Sequence, residues 1–405
     1  MLVFAASASA LASPIAPPGQ ISRVAVVGGT HGNEKIGPLL LELLDAQPGE
    51  ADRPSFETLR VLANPDAIAA NRRYVDVDLN RCFTHEILGG AMRGVEPRRA
   101  RELDALLGPK ASASPRVDLC LDVHTTTSAM GLSLMMDRAD GLALECAAHL
   151  RRRLFPTPVH IVFWAEGRDE ASTLPTAAAS GMTVEVGPLP NGVATAQIFR
   201  QTRELLRLAL DWVEERNRAA AAGTLRPKPA VLRGYQRVAV VPYPRDDAGR
   251  PLALVHDALQ GRDYCAVRPD TPVFSRSSDG ADLRLADVMT PPPTHSRRRR
   301  WWEPRAPPLH ALFVNEAAYY EKDIAFCLAE VVDAPYVAGA AGRFSHSDDG
   351  ADGDADDVGA PSAHHRGAGH RRRHADRAAV RRRCSELRRP RRGRRRCLSR
   401  STPPR

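Results

Sequence analysis

The feature that most constrains the fold is an alternation of short β-branched runs with amphipathic stretches between residues 22 and 222. The runs are short and end at glycine, proline or a polar residue, as buried strands do, whereas the amphipathic stretches have a helical period. Strands are predicted at Arg23–Val27, Leu59–Ala63, Val117–Val123 and Met182–Val186, and helices at Ile36–Leu44, Arg98–Leu107, Asp140–Leu154 and Thr195–Asn217. This alternation predicts an α/β domain with a largely parallel sheet.

The pattern changes after the segment AAAAGTLRPKP (219–229), which is typical of a linker. Short runs bounded by turns then predict a small β-rich domain over 223–334. A Pro- and Arg-rich stretch at about 290–308 is predicted to be an insertion in that domain. Residues 1–21 and 335–405 have no periodicity that would bury a core, so they are predicted to be a disordered leader and a disordered tail.

The excess positive charge belongs to the tail and not to the body of the chain. The formal net charge is +9, but residues 335–405 alone contain 18 arginines against 8 acidic residues, so the remainder is close to neutral. A basic surface that binds nucleic acid is therefore not expected on the body. The non-enzymatic alternative is an Arg-rich binding protein that acts through its tail.

The cysteines and the hydropathy of the chain indicate its cellular compartment. The seven cysteines are scattered and form no CxxC pair, so neither a thiolate zinc site nor a disulfide framework is expected. Reduced thiols favour a cytoplasmic location. No apolar run is long enough for a membrane span, and the Ala-rich start lacks a basic region, which leaves a secretory leader as the less favoured interpretation.

The motif GGTHGNE (28–34) follows the first predicted strand and precedes a helix. Its His31 and Glu34 are three residues apart, and zinc prefers imidazole nitrogen and carboxylate oxygen as ligands. The glycines allow the backbone to pass close to a metal or a substrate. A Gly-rich loop that only caps the helix is the alternative interpretation.

A further ligand candidate, His124, ends the third predicted strand within DVHTTTS (122–128). In α/β sheets, ligands bind beyond the carboxyl ends of the strands. A lone histidine there is usually structural, but with His31 and Glu34 it completes a His₂Glu set, a catalytic zinc arrangement with one open position. Asp122 is either a hydrogen-bond partner of a ligating imidazole or a residue of the opposite sheet face.

Glu185 lies within a strand that is predicted to be buried. A buried carboxylate is costly unless it is paired or functional, and desolvation raises its pKa toward the range of a general base. An ion pair with an arginine is the structural alternative. The segment RYVDVDLNR (73–81) has arginines suited to clamp a carboxylate or polarise a carbonyl, and aspartates suited to orient them. An alternating charged surface is the alternative there.

Together these motifs resemble those of the aspartoacylase and aminoacylase-3 family, within the zinc-carboxypeptidase-like group. The matching stretches include GGTHGNE, DLNR, DVHTTTS, EVGPLPNGV and FVNEAAYYEK, and their order between residues 23 and 330 agrees with that of the family. The resemblance implies a zinc-carboxypeptidase-like α/β fold. Its sheet is expected to be mixed, mostly parallel and flanked by helices, with a smaller β-rich C-terminal domain.

The resemblance also implies a catalytic centre. His31, Glu34 and His124 are expected to bind one Zn²⁺ per subunit. Glu185 is expected to activate water and then protonate the leaving amine, while Arg73 helps to polarise the scissile carbonyl.

The implied activity is hydrolysis of the amide bond of an N-acyl amino acid, with N-acetyl-L-aspartate as the first candidate. Asn80 and Arg81 are implied to hold a carboxylate of the amino-acid part, Tyr319 to reach into the substrate pocket, and Glu316 to support the loop of Tyr319. Beyond this small molecule no nucleic-acid or membrane partner is expected, and a homo-oligomer is left open.

One segment departs from the aspartoacylase pattern. Residues 171–179 read ASTLPTAAA, where aspartoacylases have an arginine and a tyrosine for the aspartate side chain. Arg168 is nearby but out of register by several residues. The departure leaves room for two alternatives, N-acyl-aromatic amino acids as in aminoacylase-3, and succinylglutamate desuccinylation.

Overall fold

The computed structural model describes residues 19–289, 301–303 and 306–340. Most of the predicted leader and tail, and residues 290–300 and 304–305 of the predicted insertion, lie outside the described residues. No helix in these described ranges has the length and apolar character needed to cross a membrane.

The strands and helices are numbered in chain order. The strands are β1 (Arg23–Gly28), β2 (Glu57–Leu62), β3 (Leu119–Thr125), β4 (Leu132–Met136), β5 (Val159–Phe163), β6 (Ser180–Val186), β7 (Lys228–Pro242), β8 (Ala253–Val255), β9 (Ala266–Val267), β10 (Pro272–Arg276), β11 (Asp282–Arg284), β12 (Leu309–Leu312) and β13 (Ile324–Ala338). The helices are α1 (Ile36–Ala46), α2 (Pro65–Ala69), α3 (His85–Leu88), α4 (Val95–Leu107), α5 (Gly141–Arg153), α6 (Ala196–Ala221) and α7 (Leu285–Val288).

A ten-stranded sheet in the order β2-β1-β3-β6-β4-β5-β7-β13-β12-β9 runs through the described chain. The pairs β2–β1, β1–β3, β3–β6, β4–β5 and β5–β7 are parallel, whereas β6–β4 and the pairs from β7 to β9 are antiparallel. A separate antiparallel sheet, β11-β10-β8, belongs to the C-terminal part. The predicted mixed, mostly parallel sheet with a smaller β-rich part is confirmed.

The two faces of β1 explain why helices cover both sides of the sheet. Side chains of a strand alternate between faces, so Val24 and Val26 join the core that contains α1, α5 and α6. Ala25 and Val27 point the other way, into the core beneath α4. Strands buried on both faces read as continuous apolar runs, which is why β1 could be predicted from its sequence.

Some elements differ from the prediction. Strands β4 and β5 were not predicted, because short apolar runs beside a helix carry no period that separates strand from helix. The predicted linker (219–229) is helix up to Ala221 and strand from Lys228. Strand β7 then pairs with β5, Val162 opposite Tyr235, so the C-terminal strands continue the main sheet.

Strand β13 runs beyond the predicted domain end at residue 334. Its last residue, Ala338, pairs with Lys228 of β7. The end of this strand mixes small and exposed side chains, so pairing with a distant strand, and not local hydrophobicity, decides where it stops.

Two indole rings of the predicted insertion pack on the C-terminal core. Trp301 and Trp302 are half-buried against side chains of β9, β12 and β13, around a cavity of about 90 Å³. The turn at 317–322, which carries Tyr319, is formed in the same structure.

Candidate active site

The carboxyl ends of β1, β3 and β6 bring three predicted site residues together. His31 follows β1 directly, His124 is in β3 and Glu185 is in β6. His124 and Glu185 are register partners in neighbouring parallel strands, so their side chains leave the same face of the sheet. The site therefore lies at one edge of the parallel sheet, as expected for an α/β fold.

The turn after β1 depends on its glycines. Gly29 has a φ of 73°, a conformation that residues with a side chain rarely adopt. A Cβ atom on Gly32 would lie 2.0 Å from the carbonyl carbon of Ala67. The glycines of GGTHGNE therefore allow a tight turn, and this turn directs the side chains of His31 and Glu34 toward the same point.

Three buried side chains form a cluster with the donor set of a metal site. One donor atom from each of His31, Glu34 and His124 lies within 4.8 Å of the others. Nδ1 of His31 is 2.6 Å from Oε1 of Glu34 and 3.1 Å from Nδ1 of His124. Nδ1 of His124 is 3.1 Å from Oε2 of Glu34. Both imidazoles therefore direct the same ring nitrogen toward a common centre.

The opposite nitrogen of each ring faces a carboxylate. Nε2 of His31 is 3.0 Å from Oδ1 of Asp78, and Nε2 of His124 is 2.8 Å from Oδ2 of Asp122. Asp122 also accepts a hydrogen bond of 2.8 Å from the Thr30 hydroxyl. Such carboxylates fix the tautomer and orientation of ligating histidines. Of the two interpretations of Asp122, the structure supports the hydrogen-bond partner.

Charge complementarity within the cluster is strong. Burial alone raises the pKa of Glu34, but the facing His31 and His124 outweigh it and hold this pKa well below its usual range. Burial lowers the pKa of His124, yet Asp122 and Glu34 raise it well above the ordinary value. The same carboxylates that stabilise a proton on His124 would stabilise a divalent cation, which would take the place of that proton on the ring nitrogen.

Glu185 differs from Glu34 because burial dominates its environment. Its residue is 9% exposed, and desolvation raises the pKa of its carboxyl to about 8 against the pull of His124. The carboxylates of Glu34 and Glu316 add to this rise. A carboxyl with a pKa near neutrality is able both to take and to return a proton.

Arg73 is oriented by Asp78, as the sequence suggested for the aspartates of this segment. Its Nη2 is 3.1 Å from Oδ2 of Asp78, and its Nη1 is 3.6 Å from Oε1 of Glu34. Since Asp78 also contacts His31, its carboxylate connects the guanidinium of Arg73 to the cluster of His31, Glu34 and His124. The bridging role of Asp78 was missed, because its sequence position pointed only to the neighbouring arginines.

Asn80 and Arg81 belong to the short 3-10 turn Leu79–Arg81, which follows Asp78 directly. Oδ1 of Asn80 accepts a hydrogen bond of 2.8 Å from the backbone of Leu174, which leaves its amide nitrogen as a donor. Arg81 is exposed and donates to the carbonyl of Asn80 at 2.6 Å. Arg168 turns away, because its guanidinium donates to the carbonyls of Thr176, at 3.2 Å, and Ala178.

Tyr319 belongs to the turn at 317–322, which Glu316 fastens to the end of β3. The Glu316 carboxylate accepts hydrogen bonds from the backbone of Thr127, at 2.8 Å, and of Ser128, at 3.1 Å. It also accepts one from Ala318 in its own turn, at 3.1 Å. The carboxylate therefore supports the turn, as the resemblance implied for Glu316.

Replacement of Glu316 by alanine is expected to destabilise the protein by about 2–4 kcal/mol, because buried N–H donors of both loops lose their acceptor. The free energy of unfolding in urea would measure the loss. Glu321→Ala is the matched control, because Glu321 accepts the exposed hydroxyl of Tyr74 and, within the described ranges, no other hydrogen bond, so its loss is expected to cost less than about 1 kcal/mol. Equal stability of the two variants would contradict the anchoring role.

Comparisons with known proteins identify the family of the chain. Residues 20–213 match the succinylglutamate desuccinylase/aspartoacylase catalytic domain. The chain is 37% identical to the human N-acyl-aromatic-L-amino acid amidohydrolase (carboxylate-forming), over 76% of this chain and 91% of that protein. It is 34% identical to a probable aspartoacylase of Acaryochloris marina, over 77% of this chain and 97% of that protein.

A solved structure extends the likeness to the backbone. The crystal structure of murine aminoacylase 3 matches with a TM-score of 0.69 at 33% sequence identity. The match covers 79% of this chain and 99% of that one. The family match at residues 20–213 includes His31, Glu34, His124 and Glu185.

Proposed function

Because the chain belongs to the succinylglutamate desuccinylase/aspartoacylase family, we propose that it hydrolyses the amide bond of N-acyl amino acids with the help of Zn²⁺. The family assignment makes it a hydrolase of linear amides. The observation that carries the proposal is the convergence of His31, Glu34 and His124 beside the buried carboxyl of Glu185.

The donor set fits zinc. Two imidazoles and one carboxylate form the His₂Glu arrangement of catalytic zinc sites, which leaves a coordination position free. The second nitrogen of each imidazole is already engaged by Asp78 or Asp122, so the donors are oriented without the ion. When bound, Zn²⁺ would act as a Lewis acid toward the amide carbonyl and make water more acidic.

Glu185 is the residue that moves the proton. Its buried carboxyl, with a pKa raised by desolvation, takes a proton from the attacking water and delivers it to the nitrogen of the leaving amine. Its place opposite His124 in the β-ladder keeps it beside a proposed zinc ligand, where the scissile carbonyl would bind.

Arg73 stabilises charge that develops on the carbonyl oxygen. Its guanidinium is held by Asp78 and lies beside Glu34, so it is in place before the substrate arrives. Donors that need no rearrangement contribute most to transition-state stabilisation.

The free carboxylate of the amino-acid part is bound by Asn80 and Arg81. The backbone of Leu174 orients the Asn80 amide, and Arg81 carries a charge that is open to solvent. Tyr319 closes the pocket above them from the turn held by Glu316. Clamping one end of the substrate places the scissile bond in a defined position.

N-acetyl-L-aspartate is the first candidate substrate. A second candidate, an N-acyl-aromatic amino acid, is favoured by the name of the 37% identical human relative and by the ring pair of Phe313 and Tyr319 at 5.4 Å. Succinylglutamate is the third, and it is included because the matched family covers desuccinylases.

A substrate panel tests the proposal. The zinc-loaded protein is expected to hydrolyse N-acyl amino acids, to lose this activity on chelation and to recover it with Zn²⁺. Measurement of kcat/KM for N-acetyl-L-aspartate, N-acetyl-L-tyrosine and N-succinyl-L-glutamate ranks the candidates. A strong preference for tyrosine would replace our first candidate, and no hydrolysis of any of the three by zinc-loaded protein would refute the function.

A further inference from the structure

Tyr319 interacts with four basic residues: Nζ of Lys322 lies 5.6 Å from the centre of its ring, and its hydroxyl interacts electrostatically with Arg73, Arg81 and Arg237. Two of them share one carboxylate: Nη2 of Arg73 is 3.1 Å from Asp78, and Nζ of Lys322 is 3.5 Å from the same oxygen of Asp78. Because Arg73 also lies 3.6 Å from Glu34, two carboxylates balance these two cations, and the excess positive charge beside Tyr319 comes from Arg81 and Arg237.

Arg81 and Arg237 are the other two basic residues that interact with Tyr319. In the described ranges Arg81 has no carboxylate within ion-pair distance, and the proposed function assigns it to the free carboxylate of the substrate. Arg237 pairs with Glu166 through Nη2 and Oε1 at 3.2 Å, but the two side chains are 34% and 46% exposed. Ion pairs with this much solvent contact are weak, so Glu166 leaves most of the charge of Arg237 available.

The position of Arg237 is set by the sheet. It lies in β7 opposite Ala329 of β13, and its guanidinium interacts with the thiol of Cys327. Cys327 is buried in the apolar cluster against which Tyr319 packs. Ala329, the register partner of Arg237, is a buried member of the same cluster, so Arg237 extends from the face of the sheet on which Tyr319 packs.

The electrostatics of Tyr319 support this placement. Burial raises the pKa of the Tyr319 hydroxyl far above its usual value, Arg237 and Arg81 lower it, and Glu185 raises it further. The two arginines and the proposed proton carrier therefore act on one hydroxyl.

We propose that Arg237 is a specificity-determining residue that binds a second carboxylate of the substrate. This inference rests on the proposed function and names the residue that replaces the arginine missing from 171–179. Arg168 does not take that role, because backbone carbonyls occupy its guanidinium. A guanidinium binds a carboxylate through two parallel hydrogen bonds, which gives direction as well as charge.

The second carboxylate has two sources, the side chain of the amino acid or the far end of the acyl group. Substrate pairs that differ by the presence of one carboxylate separate them. N-acetyl-L-aspartate is compared with N-acetyl-L-asparagine, and N-succinyl-L-alanine with N-butyryl-L-alanine, all with the zinc-loaded full-length protein. The wild type is expected to prefer the carboxylate member of one pair by about 10- to 100-fold in kcat/KM, as a charge-assisted hydrogen bond provides.

Arg237→Gln is expected to remove this preference by slowing the carboxylate substrate about 10- to 100-fold while the neutral partner changes little. Arg237→Lys should restore part of it, because the charge returns without the bidentate geometry. Arg233→Gln is the matched control, since Arg233 lies in the same strand but pairs with the exposed Asp333. Zinc content and melting temperature establish that each variant is folded.

Two results would overturn the inference and leave the proposed function intact. The first is a wild type that hydrolyses both members of each pair equally well. The second is an equal loss with charged and neutral substrates in Arg237→Gln. No hydrolysis of any of the four compounds by the zinc-loaded wild type would instead refute the proposed function and this inference with it.

Discussion

Glu185→Gln is expected to lower kcat by about 10²- to 10⁴-fold, the usual contribution of a general acid–base group, while the protein keeps its zinc. Glutamine has nearly the shape of glutamic acid, so it fills the same buried space and leaves no cavity. Its amide neither takes up nor releases a proton near neutral pH, so only the chemical step is affected.

Stability separates this catalytic role from a structural one. Burial raises the pKa of Glu185 to about 8, which means that the fold disfavours its charge. A neutral amide should therefore leave the melting temperature unchanged or raise it. The test is to measure the zinc content, the melting temperature and kcat at a saturating substrate concentration. A Glu185→Gln variant with near wild-type kcat would exclude the residue as the proton carrier.

His124→Ala is expected to abolish both zinc retention and hydrolysis. The substitution removes one of three donors from the cluster, takes away the imidazole that faces the buried Asp122, and takes away one of the two imidazoles beside Glu34. Loss of a residue that only supports a ligand typically costs about 10- to 100-fold in metal affinity. Loss of the ligand itself should exceed that.

Asp122→Asn provides the graded comparison for His124→Ala. The amide keeps the size of Asp122 but gives up the carboxylate that faces Nε2 of His124. We expect zinc affinity to decrease from wild type to Asp122→Asn and further to His124→Ala, as measured by competition with a chelator. Stoichiometric zinc of wild-type affinity in His124→Ala would show that the ion binds elsewhere.

The local motifs were readable because each depends on backbone chemistry close in sequence. GGTHGNE predicts a tight turn after a strand, and the structure has Gly29 at positive φ and no room for a side chain at Gly32. The β-branched run of β6 predicted a buried strand around Glu185, which is 9% exposed. Periodicity could not reveal β4 and β5, and the cluster around Tyr319 draws on both these strands and the C-terminal strands.

Several contacts of the site could not be read from the sequence because their partners are far apart along the chain. Asp78 contacts His31 and Lys322 as well as the nearby Arg73, and Glu316 holds the turn of Tyr319 to the end of β3. Arg237 gave no local signal at all, since a lone arginine within a strand sequence is typical of a surface position. Its placement beside Tyr319 follows only from the pairing of β7 with β13.

The amino-acid sequence by itself determined the elements that local backbone preference and hydrophobic period control, together with the kinds of side chain offered for metal and proton chemistry. The tertiary structure alone decided which of them meet. The register of β3 against β6 sets His124 beside Glu185, and the register of β7 against β13 sets Arg237 beside Cys327. Register depends on how two distant strands bury their faces together, and no single segment contains that information.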